Sequence, residues 1–122
     1  MKNNNNYFDK LELRSSDQRS SEIFKALPIQ ILNAKTNSRY FSKLLKDVDP
    51  NQGTNPSDFS RLPITRKSDL INIQSENPPL GTMITCEPGS LKRIFQSPGP
   101  IYDPEGYGVD WWRTARALYA AG

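Results

Sequence analysis

Ser97 and Gly99 lie in the one stretch of this sequence where phosphate chemistry is conceivable, Leu91-Lys92-Arg93-Ile94-Phe95-Gln96-Ser97-Pro98-Gly99-Pro100-Ile101. A phosphate cradle needs backbone N–H groups converging on one point, with hydroxyls or a lysine to meet the remaining charge. Ser97, Gly99 and Ile101 have N–H groups, but Pro98 and Pro100 between them have none, and no lysine follows Ser97. Three prolines and three glycines over residues 98–108 fix some φ values and free others, so the segment reads as a shaped loop. A rigid surface connection without any ligand fits the same composition. Asp103 and Glu105 add two carboxylates, a pair open to metal binding or acid–base work, although acids beside prolines commonly just form turns.

The remaining reactive side chains exclude more than they suggest. Cys86 is the sole cysteine and there is no histidine, which rules out an internal disulfide, a zinc site of Cys/His type and a Cys/His nucleophile pair. No catalytic residue and no metal ligand is assigned. Lys35, Arg39, Lys43 and Lys46 recur every three or four residues with no acid until Asp47. On one helix they would make a basic stripe able to meet phosphates. Phe41, Leu44, Leu45 and Val48 follow i, i+3, i+4, i+7 on the other side, so the stripe also reads as the solvated face of an ordinary amphipathic helix, the preferred reading.

The elements that must position these residues are helical first and loop-rich afterwards. Residues 1–14, with the polar tract Asn3-Asn4-Asn5-Asn6, are expected to be a disordered lead. Ser15 and Gln18 match a capping box, and Ile23, Phe24 and Leu27 give the following helix an apolar face until Pro28 interrupts it. A second short helix from Pro28 to Lys35 and a third from Ser38 as N-cap to about Asp47 complete a helical segment over 15–49. Residues 50–60 read as a connection with at most one helical turn and one buried candidate, Phe59. Leu62-Pro63-Ile64 is extended, and Thr65 caps a short helix to Ile71. Leu91 to Phe95 reads as a strand that could pair with the β-prone Gly81-Thr82-Met83-Ile84-Thr85 as a hairpin. Residues 97–108 then lead as a loop into a helix capped by Asp110, with Trp111, Ala115 and Leu118 on its buried side and Gly122 closing it.

At 122 residues the chain is one domain at most. Hydrophobic residues make up 35%, with 10 prolines and a mean hydropathy of -0.69, which suggests an incomplete core awaiting partner surfaces. The net charge of +3 arises before Pro50, where nine Lys or Arg face six Asp or Glu; after it the count is seven against seven. This is thin support for nucleic acid, which is not the expected partner. No run approaches a membrane span and none resembles a signal core, so a cytoplasmic location is expected.

Two segments carry a family resemblance. Asn37-Ser38-Arg39-Tyr40-Phe41 is similar to the Asn-Ser-Pro-Phe-Tyr of the phenylacetate-CoA ligase family, and Leu62-Pro63-Ile64-Thr65-Arg66-Lys67-Ser68-Asp69-Leu70 resembles its Leu-Pro-Phe-Thr-Thr-Lys-x-Asp-Leu. Lys92 to Pro100 falls where that family has a strand entering its phosphate loop, and Trp111 to Gly122 where it has the following helix. The likeness runs over residues 16–122 and over only the opening part of the family's longer sequence. It implies an α/β architecture, with 61–122 the start of a nucleotide-binding domain, and a parent that activates a carboxylic acid with ATP and Mg2+ and transfers it to CoA. It implies too that Ser97 and Gly99 hold the phosphate-loop position, altered because the family's Thr-Thr-Gly-Lys is absent. The family's catalytic glutamate, adenine and ribose contacts and C-terminal lysine lie beyond its opening part. A fragment or truncated relative, inactive alone and packed on the rest of a parent or on a second copy, is the expected function. The competing reading is a stand-alone interaction module that holds protein or nucleic acid through its basic or aromatic helix.

Overall fold

The computed structural model describes residues 7–52 and 54–122. Five helices and one hairpin follow in chain order: α1 (Ser16–Asn37), α2 (Arg39–Leu44), α3 (Pro56–Phe59), α4 (Lys67–Glu76), β1 (Arg93–Ser97), β2 (Ile101–Glu105) and α5 (Thr114–Ala121). Short 3-10 turns stand at Lys10–Leu13, Pro50–Gln52 and Pro88–Ser90. The mixed composition, helical first and with short strands and loops second, agrees with the expected α/β fragment.

The Ser15 capping box forms with Gln18 as read, but α1 does not break at Pro28. Proline removes one helical hydrogen bond and crowds the preceding turn, at a cost of about 3 kcal/mol. Phe24, Leu27, Ile31 and Ala34, spaced by three, four and three, make one inward stripe running straight past Pro28. Burial along a single helix outweighs the break. Ile23, expected on that face, is instead exposed. Ser38 caps α2 by accepting from the Phe41 N–H at 3.2 Å, and the helix ends at Leu44 rather than Asp47. Leu45 is buried just after it.

The residues 1–14 expected to be disordered divide in two. Residues 1–6 lie outside the described residues, whereas Asp9 caps the 3-10 turn Lys10–Leu13 and the segment docks on α5. Arg116 pairs with Asp9 and Glu12 and stacks over Phe8, whose ring meets Tyr119 edge to face at 5.6 Å. Thr65 does not cap α4; the N-cap is Arg66, with no side-chain hydrogen bond, and the helix runs on to Glu76. Phe59 is exposed, not buried.

The hairpin differs most from expectation. β1 pairs antiparallel with β2, in the register Arg93 to Glu105 through Ser97 to Ile101, and not with residues 81–85. Residues 97–108 are therefore not one continuous loop. Hydrogen bonding alternates along an antiparallel pair, so Pro104 tolerates its missing N–H where the backbone nitrogen points away from β1. Trp111 and Trp112 also precede α5 instead of lying on it. Asp110 (φ 48°) and Arg113 (φ 57°) bend the chain there, and Asp110 Oδ1 still reaches forward to accept from the Ala115 N–H at 3.0 Å.

Among the described residues the buried apolar side chains are Ile31, Leu45, Leu80 and Ile101, while Tyr107, Val109, Trp111, Trp112 and Leu118 stay exposed. The small core agrees with the low hydrophobic content. No helix among the described residues is long and apolar enough to cross a membrane.

Candidate functional site

The two resembling segments meet in space. Ser38, 1% exposed, donates its hydroxyl to the Thr82 carbonyl at 3.1 Å, and the Tyr40 N–H donates to that same oxygen at 3.0 Å. The Tyr40 hydroxyl lies 3.4 Å from Thr65 Oγ1. Asn37–Phe41, Leu62–Leu70 and the turn at residues 80–82 are thus joined. Gly81 makes the turn possible, because its φ of +64° suits glycine and a Cβ there would come within 3.0 Å of the Ile73 carbonyl.

Beside this junction lies a mostly apolar cavity of about 370 Å³, bounded by Phe41, Leu70, Leu80, Ile84, Tyr102 and Trp111. Gln74 fastens its α4 wall to its β2 wall. The Gln74 side chain donates to the Tyr102 carbonyl at 2.8 Å and accepts from the Tyr102 N–H at 2.9 Å, satisfying the backbone groups that face away from β1. The amide acts as a one-residue extension of the sheet. Sequence reading passed over Gln74; its only local signal is a polar residue one turn after Leu70 on an otherwise apolar helix face.

Ser97 and Gly99 are brought together in the turn between β1 and β2, lining an open concavity with Gln96, Pro98 and Pro100. The Ser97 hydroxyl donates to the Ile101 carbonyl at 3.3 Å, across the foot of the turn. Gly99 has φ +155°, and a Cβ there would stand 2.9 Å from Ile101 Cγ1. The strand alternation that turns Tyr102 outward turns the Ile101 N–H toward Ser97, which leaves the Gly99 N–H as the turn's main unshared donor.

Asp103 and Glu105 do not act as a pair. Asp103 borders the cavity, whereas Glu105, 6% exposed, accepts from the Trp112 indole N–H at 3.3 Å and meets Lys92 at 3.2 Å and Arg93 at 3.9 Å. Burial pulls its carboxyl upward, but the Trp112 and Lys92 hydrogen bonds and the charges of Arg93 and Lys92 outweigh that and hold it below the usual glutamate range. Glu105 ties the tryptophan turn to the hairpin. Trp111 packs on Gly106, where a Cβ would stand 2.5 Å from its ring. Cys86 is exposed at the cavity rim, and among the described residues no three metal-ligating side chains cluster.

The basic residues do not form one stripe. Lys35 on α1 donates to the Lys46 and Val48 carbonyls at 3.3 and 2.6 Å, and Lys46 lies 3.8 Å from Asp47. Arg39 and Lys43 remain on α2, while Phe41, Leu44, Leu45 and Val48 turn inward.

No family model and no curated protein matches this chain. Solved structures of 2-hydroxyisobutyryl-CoA ligase share its fold. The postadenylation state in complex with 2-HIB-AMP matches with a TM-score of 0.70 at 21% identity, over 85% of this chain and 23% of that one. The open conformation in complex with 2-HIB-AMP and CoA matches with a TM-score of 0.71 at 21% identity, over 85% and 24%. The chain has the fold of part of a CoA ligase captured with its acyl-AMP, and spans about a quarter of that ligase's length.

Proposed function

We propose that this chain is part of a phenylacetate-CoA ligase-like protein that activates a carboxylic acid as its acyl-adenylate and transfers the acyl group to CoA. The observation that carries the proposal is the junction of Ser38, Tyr40, Thr65 and Thr82, which binds the two family-like segments together inside a ligase fold. In this reading the chain is scaffold. It has no catalytic residue of its own, it is inactive alone, and it works in the cytoplasm against the rest of the fold or a second copy.

ATP, Mg2+ and CoA enter through that larger protein. The Ser97–Gly99 turn by itself does not fit a triphosphate, because Pro98 and Pro100 bring no N–H, the Ser97 hydroxyl is directed at Ile101 and no lysine among the described residues lines it. Ser97 and Gly99 would serve at most as minor phosphate contacts, and no step of the reaction is assigned to them.

The test is carboxylate-dependent release of pyrophosphate from ATP. None is expected from the 122-residue chain with phenylacetate, ATP and Mg2+, and release is expected from the full-length product of its reading frame. Release by the chain alone, or none by the full-length product with any aryl or alkyl acid, overturns the reading. Exposure of Trp111 and Trp112, at 48% and 47%, favours the alternative of a non-enzymatic interaction module. A silent pyrophosphate assay together with association lost on Trp112→Ala would select it.

A further inference from the structure

Dividing the basic stripe leaves two cations without an assignment. Arg39 and Lys43 make no ion pair and no side-chain hydrogen bond among the described residues, in contrast to Lys35 and Lys46. They stand one helical turn apart on α2, where side chains four residues apart lie about 6 Å from each other, near enough to meet one head group. Both border a cleft of about 410 Å³ between α2 and the C-terminal end of α4, with Leu44 and Ile73 as apolar surface and Glu76 and Thr82 as further polar lining. That volume falls within the roughly 300–1,000 Å³ typical of small-molecule sites and is far too small for a nucleic-acid groove.

We propose that this cleft binds a small organic carboxylate, its head group on Arg39 and Lys43 and its apolar body on Leu44 and Ile73. Charge selects the head group. Two cations and the Glu76 carboxylate give the lining a net charge of +1, which a monoanion neutralises and a phosphate dianion overshoots. The planar guanidinium of Arg39 matches a carboxylate with two parallel N–H donors, and Lys43 adds a point charge from the same side. Asn77 on the rim supplies a neutral polar neighbour. The inference rests on this cleft alone and stands whether or not the ligase reading holds.

The experiment titrates the 122-residue chain with benzoate, with neutral benzamide and with phenyl phosphate, reading backbone amide shifts. Benzoate is expected to move residues 39–44 and 73–82 and to bind at least tenfold more tightly than benzamide. Arg39→Ala and Lys43→Ala each weaken it about tenfold, the loss of one charge-assisted contact, and both are surface substitutions whose fold is checked by unchanged shifts elsewhere. Glu76→Gln raises affinity for phenyl phosphate more than for benzoate. Equal binding of benzoate and benzamide, shifts centred elsewhere, affinity unmoved by both cation substitutions, or preference for phenyl phosphate in the unsubstituted chain each overturns the proposal.

Discussion

Replacing Gln74 by leucine should be among the most damaging single changes on α4. Gln74 is 6% exposed, and its amide makes two hydrogen bonds to the backbone of Tyr102, 28 residues away. Each is worth about 1 kcal/mol net, but the substitution also strands the half-buried Tyr102 N–H and carbonyl, so the loss should reach about 2–3 kcal/mol. Domains of this size retain only about 5–15 kcal/mol in all, and a core as small as this one argues for the lower end. With a urea dependence of about 1–3 kcal/mol per molar, the unfolding midpoint falls by roughly 0.7–3 M. Trp111 borders the same cavity, so tryptophan fluorescence reports the transition where the tie is cut.

Gln74→Glu refines the test. It keeps an acceptor for the Tyr102 N–H but sets a carboxylate against the Tyr102 carbonyl, which disfavours the charged form and raises that carboxyl in the folded state. A carboxyl raised on folding adds stability as pH falls through its folded value toward its unfolded one. Gln74→Glu should therefore lie furthest below the parent at neutral pH and recover in acid. Ser75→Ala, whose hydroxyl reaches only the Asn72 carbonyl on the exposed side, is the control. A loss under about 0.5 kcal/mol for Gln74→Leu, the range of ordinary surface changes, refutes the reasoning.

Ser38→Ala removes the α2 cap and the bond to Thr82 together, and should lower stability by about 2 kcal/mol by urea unfolding; Ser42→Ala provides the surface comparison. Glu105→Gln should release Trp112, seen as red-shifted emission and greater quenching by acrylamide. Because the Glu105 carboxyl is held low, its contribution is full above about pH 4.5 and lost as pH falls through the folded value, so parent and variant should converge on acidification. A gap independent of pH would contradict this. In the longer ligase proposed above, Pro98→Ser with Pro100→Thr should tighten ATP binding by calorimetry. Two regained donors to a charged group at about 1.5–3 kcal/mol each amount to a factor on the order of 100 or more, and no gain argues against the turn as a phosphate contact.

What the sequence made legible was local. The Ser15 capping box and the Ser38 cap each close over three residues, so residue type and spacing were enough to find them. Asp110 was expected at the N-cap of the last helix, but that position falls to Arg113, which has no side-chain cap bond, and Asp110 only reaches the Ala115 N–H from three residues before that cap. Trp111 settles against Gly106, and the chain turns through positive φ at Asp110 and Arg113 before α5 begins. Pro28 and Pro104 were misjudged because proline's effect depends on what its missing N–H would have met. At Pro28 the loss is outweighed by a stripe that continues beyond it; at Pro104 the nitrogen faces away from its partner strand.

The candidate site was harder to read, since its contacts join a side chain to distant backbone. Gln74 binds the Tyr102 main chain, and Ser38 binds the Thr82 carbonyl 44 residues on; any residue but proline could supply those backbone groups, so no pattern marks them. The lysines make the same point. Lys35 and Lys43 are alike in type and in spacing, yet the short α2 turns the Lys46 and Val48 carbonyls onto Lys35 and leaves Lys43 facing the cleft. Periodicity alone placed four charges on one stripe, although the reading of Ser38 as a cap already set Lys35 on a different helix from the other three. The break at Ser38 separates them, and with them a cation that closes the fold from two that remain available to a ligand.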